Sequence, residues 1–194
     1  MDSEKMLTIF LSAAVATLVN YLVNRYNNSR INKKIIRNID QELREIQSYM
    51  NAQLTLYEGE LVSLRKYEWS NVVPRIVENT VYQGYFKDVA LDIPPSRRTA
   101  YQLINHDLSM INASILRWHN IITDKQKSAE VCDEDFSYLV DIIETIYKNS
   151  SITSWHIDRL LSQKNYDIKD MRNEERSDYE RQITRIRDKI SSLK

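Results

Sequence analysis

Residues 101–122, YQLINHDLSMINASILRWHNII, decide the fold class. The apolar positions Tyr101, Ile104, Leu108, Ile111, Ile115, Trp118 and Ile122 follow steps of 3, 4, 3, 4, 3 and 4 without a fault. An α-helix puts such a set on one face. Three heptads of it make a seam for left-handed, near-parallel helix packing, within one chain or between chains. Ser96 is suited to cap this helix. Arg97 and Arg98 then fall in the first turn, where two cations oppose the helix dipole. Unless they are simply solvated, they require an acid, a lipid or a phosphate beside them.

The rest of the chain reads the same way. It has 194 residues with only two Gly and three Pro, too few for a turn-rich β fold or a disordered linker. The expected fold is all-α: one membrane-spanning helix followed by a cytoplasmic helical bundle with long coiled-coil-like helices. Lys plus Arg equals Asp plus Glu at 27 each, so no global field recruits nucleic acid. The single cysteine, Cys132, rules out an intramolecular disulfide framework and fits a reducing compartment.

The span is expected at residues 6–23, MLTIFLSAAVATLVNYLV, after a short extracytoplasmic terminus of residues 1–5. These 18 residues hold no charge, and as a helix they reach about 27 Å, close to one hydrocarbon core. Leu7, Ile9, Phe10, Leu11, Val15, Leu18, Val19 and Leu22 supply the lipid-facing surface. The residues ahead of it include Asp2 and Glu4, unlike the basic start of a signal peptide, although Ala14-Val15-Ala16 imitates a cleavage site. Behind it stand Arg25, Arg30, Lys33, Lys34 and Arg37 before the first acid, Asp40. The positive-inside rule then puts the following domain in the cytoplasm, with the cations near the lipid headgroups. Tyr21 and Tyr26 sit at the expected aromatic belt. Ser12, Ala13, Ala16 and Thr17 form small-xxx-small pairs that permit close approach of a second span.

Residues 24–66 read as a basic juxtamembrane segment and a stalk helix. Its seam runs through Ile31, Ile35, Ile39, Leu43, Ile46, Met50, Leu54, Tyr57, Leu61 and Leu64, and Gly59 is its weak point. Residues 67–163 read as the bundle core. A break is expected near Trp69-Ser70-Asn71, with Pro74 in the first turn of a helix and Gly84 in an irregular connection. The acidic run Asp133-Glu134-Asp135 suits a helix N-terminus, and Asn149-Ser150-Ser151 suits a helix end. Residues 164–194 carry nine basic and seven acidic side chains and read as a charged amphipathic helix including Ile168 and Met171.

No pattern of catalytic chemistry completes itself. His106-Asp107 has no upstream His with which to build a metal site of the helical phosphohydrolase kind, and no His-Glu-x-x-His or Glu-x-x-His pair occurs. The three N-x-S/T matches, at Asn27, Asn112 and Asn149, lie in the domain expected to be cytoplasmic. The sequence therefore points to a non-catalytic, membrane-anchored interaction, scaffold or sensor-adaptor protein that self-associates and binds protein partners. It calls for no cofactor, no small-molecule substrate and no nucleic acid. Two rivals stand beside it: a membrane-damaging effector whose spans assemble on oligomerisation, and a helical enzyme built on His106, Asp107 or His119.

Overall fold

The computed structural model describes residues 3–68, 74–128, 132–163 and 166–193; for 3–10, 12 and 126–128 it describes the backbone only. Five α-helices account for almost all of it: α1 (Ser3–Arg65), α2 (Thr80–Val89), α3 (Pro95–Ser128), α4 (Asp133–Ser162) and α5 (Asn173–Ser192). A 3-10 turn, Ala90–Asp92, joins α2 to α3. There is no strand among the described residues.

Side-chain pairs give the helix directions. Tyr101 and Arg97, early in α3, meet Asp40 of α1, while Tyr147 of α4 meets Glu58 and Ser154 meets Asn51. Helix α4 therefore runs antiparallel to α1, and Arg97 donating to the carbonyl of Leu160 at 2.9 Å shows it antiparallel to α3 as well. Helix α5 runs parallel to α1, since Asp178 pairs with Arg159 and Lys189 with Glu58. The centre is α4. It buries Leu139, Ile143, Ile146, Ile157 and Leu160 completely. The 101–122 seam packs into the same core, with Tyr101 to Trp118 at most 2% exposed and Ile122 partly buried at the edge. Ile39, Leu43, Ile46, Met50, Tyr57, Leu61 and Leu64 of α1 join it, so residues 39–64 and the helices after them share one core.

Several local expectations gave way. Ser150 and Ser151 lie inside α4, which continues for 30 residues. Their hydroxyl groups do not end the helix because Ser151 bonds back to the carbonyl of Tyr147 at 2.8 Å, and small side chains let α1 approach closely. Gly84 is mid-helix in α2, and Pro74 precedes any helix. Helix α2 starts late because a tertiary neighbour caps it: the Glu42 carboxylate accepts the N–H groups of Val81 and Tyr82 at 2.8 and 2.9 Å. Ser96 is the second helical residue of α3, behind Pro95, whose missing N–H costs nothing there. Ile168 and Met171 precede α5. The expected break and cap at Trp69, Ser70 and Asn71, and the side chains of Leu7, Ile9 and Phe10, lie outside the described residues.

The extended segment 74–79 lies along α3, pinned by a polar ladder one heptad apart. Asn105 pairs with Asn79, Asn112 bonds both the N–H and the carbonyl of Val77 at 2.8 Å, and a ring nitrogen of His119 lies 2.7 Å from the carbonyl of Pro74. These partners satisfy backbone groups that no helix serves, so the segment can stay extended while Val77 is buried.

Candidate functional site

Helix α1 spans 63 residues without interruption, about 95 Å along its axis. Only its second half is packed. From Ala13 to Ile31 every residue is exposed, including Val15, Leu18, Val19, Tyr21, Leu22 and Val23 at 50–59%. A soluble helix hides one stripe and wets the rest. Residues 13–23 carry mostly apolar side chains around the whole circumference, with no partner packed against them among the described residues. Thr17 donates to the Ala13 carbonyl at 2.8 Å, which occupies its hydroxyl within its own helix. Among the described residues no helix is long and apolar enough to cross a membrane. The apolar stretch 6–23 is described in its side chains only at 11 and 13–23.

The basic residues follow directly. Arg25, Arg30, Lys33, Lys34 and Arg37 are all exposed, and none makes an ion pair among the described residues. Arg30 lies over the Tyr26 ring at 5.9 Å. Where α1 enters the bundle, Arg97 fixes the crossing. Its guanidinium donates to both Asp40 oxygens at 2.8 and 3.0 Å, to the Tyr101 hydroxyl at 3.1 Å and to the Leu160 carbonyl. The Tyr101 hydroxyl itself bonds Asp40, and burial followed by that carboxylate pushes its pKa up. The first-turn arginine thus has an acidic partner, on α1. At the far end Arg65 closes α5: it donates to the Ile190 carbonyl at 2.8 Å and to Leu193, and pairs with Glu144 at 2.5 Å.

The titratable groups singled out in the sequence do not gather. His106 is exposed and His119 is held at Pro74. Asp107 instead faces a groove of about 380 Å³ shared with Asn149, His156 and Tyr179. Burial raises the Asp107 pKa, partly offset by His106. His156, 4% exposed, has its Nδ1 2.7 Å from the Tyr166 hydroxyl, and burial pushes its pKa down to about 4. At neutral pH that ring is uncharged, packed against Trp155 and Tyr179 at 5.1 and 5.4 Å. Sequence spacing had no means of linking His156 to Tyr166, because Tyr166 lies past the end of α4 and outside its helical register.

No group of three or more metal-binding side chains occurs among the described residues. Cys132 is exposed and caps α4, its Sγ 3.2 Å from an Asp135 oxygen. The backbone N–H of Cys132, and then Lys125, hold the Asp135 pKa down to about 2. A thiol beside a carboxylate is a poor nucleophile. Compared with known proteins, the chain matches no protein family, no curated protein and no solved structure.

Proposed function

We propose that this chain is a membrane-anchored, non-catalytic helical module, held by residues 6–23 with its bundle on the cytoplasmic side, that gathers partners at the membrane surface. One observation carries the reading: beyond its basic residues, the far end of α1 presents a mostly apolar stretch, 13–23, in which every residue is exposed. Water is the least favourable surrounding for such a stretch, at about 25 cal/mol per Å² of apolar surface, and a bilayer removes that cost. The uncharged stretch followed by five cations supports both the span and its direction.

Anchoring confines the bundle to a thin layer, which raises its effective concentration for anything else held there. The seam from Tyr101 to Trp118 is occupied by the chain's own core. Self-association therefore runs through the exposed half of α1, where Ala13 and Ala16 allow close approach.

The test is extraction of membranes from cells producing the full chain. Alkaline carbonate should leave the protein in the pellet, and Leu11→Arg with Leu18→Arg should move it to the supernatant with its helicity intact. A wild-type chain released by carbonate overturns the proposal. Protease added to the cytoplasmic face should digest the bundle, and protection from it would reverse the assigned direction.

A further inference from the structure

One face of α1 can be followed across the boundary between its two halves. Tyr21, Arg25, Asn28, Asn32, Ile35, Ile39, Leu43, Ile46 and Met50 follow steps of 4, 3, 4, 3, 4, 4, 3 and 4. From Ile35 onward this face packs into the core. Above Ile35 it turns polar, and among the described residues the 3-10 turn lies opposite it through Asp92. Tyr21, Asn24, Arg25, Asn28, Ser29, Asn32 and Asp92 line an open groove of about 480 Å³ there, all of them exposed except the half-buried Asn32. The side-chain amide of Asn32 donates to Oδ2 of Asp92, which closes the lower end. Leu91, next to that carboxylate, is 88% exposed.

We infer that this groove binds the headgroup of a phosphoethanolamine lipid, a reading that rests on the membrane anchorage proposed above. The two charges define the ligand. Arg25 supplies a guanidinium that makes no ion pair among the described residues, with Asn24, Asn28 and Ser29 as further donors beside it. Together they suit a phosphodiester. Asp92 supplies a carboxylate at the other end, with Oδ1 making no hydrogen bond among the described residues. A primary ammonium can donate to that oxygen, whereas a trimethylammonium has no N–H to give. A headgroup carrying only negative charge would meet Asp92 unfavourably.

Position favours a lipid over a free phosphate compound. The groove begins at Tyr21, inside the apolar stretch, and runs eleven residues to Asn32, about 16 Å along the axis. A headgroup layer is about 5–8 Å deep per leaflet, so Asn24, Arg25 and Asn28 stand within it, while Asp92, level with Asn32 and about 13 Å past Val23, stands beyond its outer side.

The full chain in detergent, titrated with phosphatidylethanolamine, phosphatidylcholine and phosphatidylglycerol of identical acyl chains, reads the preference directly by native mass spectrometry. The ethanolamine lipid should be retained at least about tenfold more than either other lipid, the scale of one added charge-assisted hydrogen bond. Asp92→Asn and Arg25→Gln should each abolish that preference, while Lys34→Gln, nine residues from Arg25 and on the opposite side of α1, should keep it. Circular dichroism of each variant checks that the bundle is intact. Equal retention of all three lipids, a preference for the glycerol lipid, or a preference that survives Asp92→Asn overturns the inference. Failure here with the protein still in the carbonate pellet leaves the anchor standing; release from the pellet removes both.

Discussion

Residues 13–30 and 39–64 of α1 belong to one unbroken helix and meet opposite fates. The upper half exposes Val15, Leu18 and Leu22 by more than half of their surface, while the lower half hides Ile39, Leu61 and Leu64 almost completely. Both halves are rich in aliphatic residues, so hydrophobicity alone does not tell them apart. Distribution does. The lower half gathers its apolar residues on one stripe opposite α4 and leaves charge on the other side; the upper half spreads them all round. A stripe can be satisfied by neighbouring helices of the same chain, at about 1.5–3 kcal/mol per buried side chain. A fully apolar cylinder needs a surrounding medium.

The largest expected effect tests that contrast with one type of substitution in both halves. Leu61→Ala should lower the stability of the bundle by about 2–5 kcal/mol in chemical denaturation, because its site is sealed. Leu18→Ala should change it by less than about 0.5 kcal/mol, as for an exposed position. Equal losses would mean that the upper half is packed after all.

Acid should also separate the halves. The unfolded state carries His156 at its ordinary pKa near 6.5, and the folded state holds it at about 4. Stability from that neutral ring is fully present above pH 6.5 and falls as pH drops through the folded value, by about 3 kcal/mol in all. The melting temperature of the bundle should decline already between pH 6.5 and 4.5, and His156→Asn should flatten that part of the profile. Retention of the protein in membranes should not follow it.

Breaking the crossing between the halves should cost less. Arg97→Ala removes the ion-pair donor of Asp40, which keeps the Tyr101 hydroxyl, and the guanidinium donor of the Leu160 carbonyl, and a partly exposed site limits the loss to about 2 kcal/mol, readable in the same denaturation assay. Arg97→Lys should recover only part, since an ammonium cannot span the carboxylate and the carbonyl together. The smallest effect is a gain. Gly59 is exposed in mid-helix and a Cβ there meets nothing within 4 Å, so Gly59→Ala should add about 1 kcal/mol.

How much of this was legible beforehand depended on the range of the interaction concerned. The seam from Tyr101 to Trp118 and the Leu43–Leu64 stripe could be read directly, because helical periodicity is a local property and burial follows it. The late start of α2 could not, since its cap is Glu42, some forty residues upstream. The Asn105, Asn112 and His119 ladder also repeats every seven residues, but its targets, the Asn79 side chain and backbone groups of Val77 and Pro74, belong to an extended segment that no pattern in residues 74–79 announces. Ser150 and Ser151 looked like a helix end because their hydroxyls can serve a cap; close packing against α1 used their small size instead. In the candidate site, the charges of Arg25 and Lys33 were visible, whereas the pairing of Asn32 with Asp92 joins positions sixty residues apart.

The sequence by itself determined that the chain is helical, where its long amphipathic stripes lie, and that residues 6–23 form an uncharged stretch with cations on one side only. Those are properties of neighbours within a few turns, where backbone geometry converts spacing into a face. Tertiary structure alone decided which seams meet, that α4 takes the centre, that Arg97 finds Asp40, and that the polar face above Ile35 looks across at Asp92. Each of these depends on the enclosure of one helix by others, which no local spacing encodes.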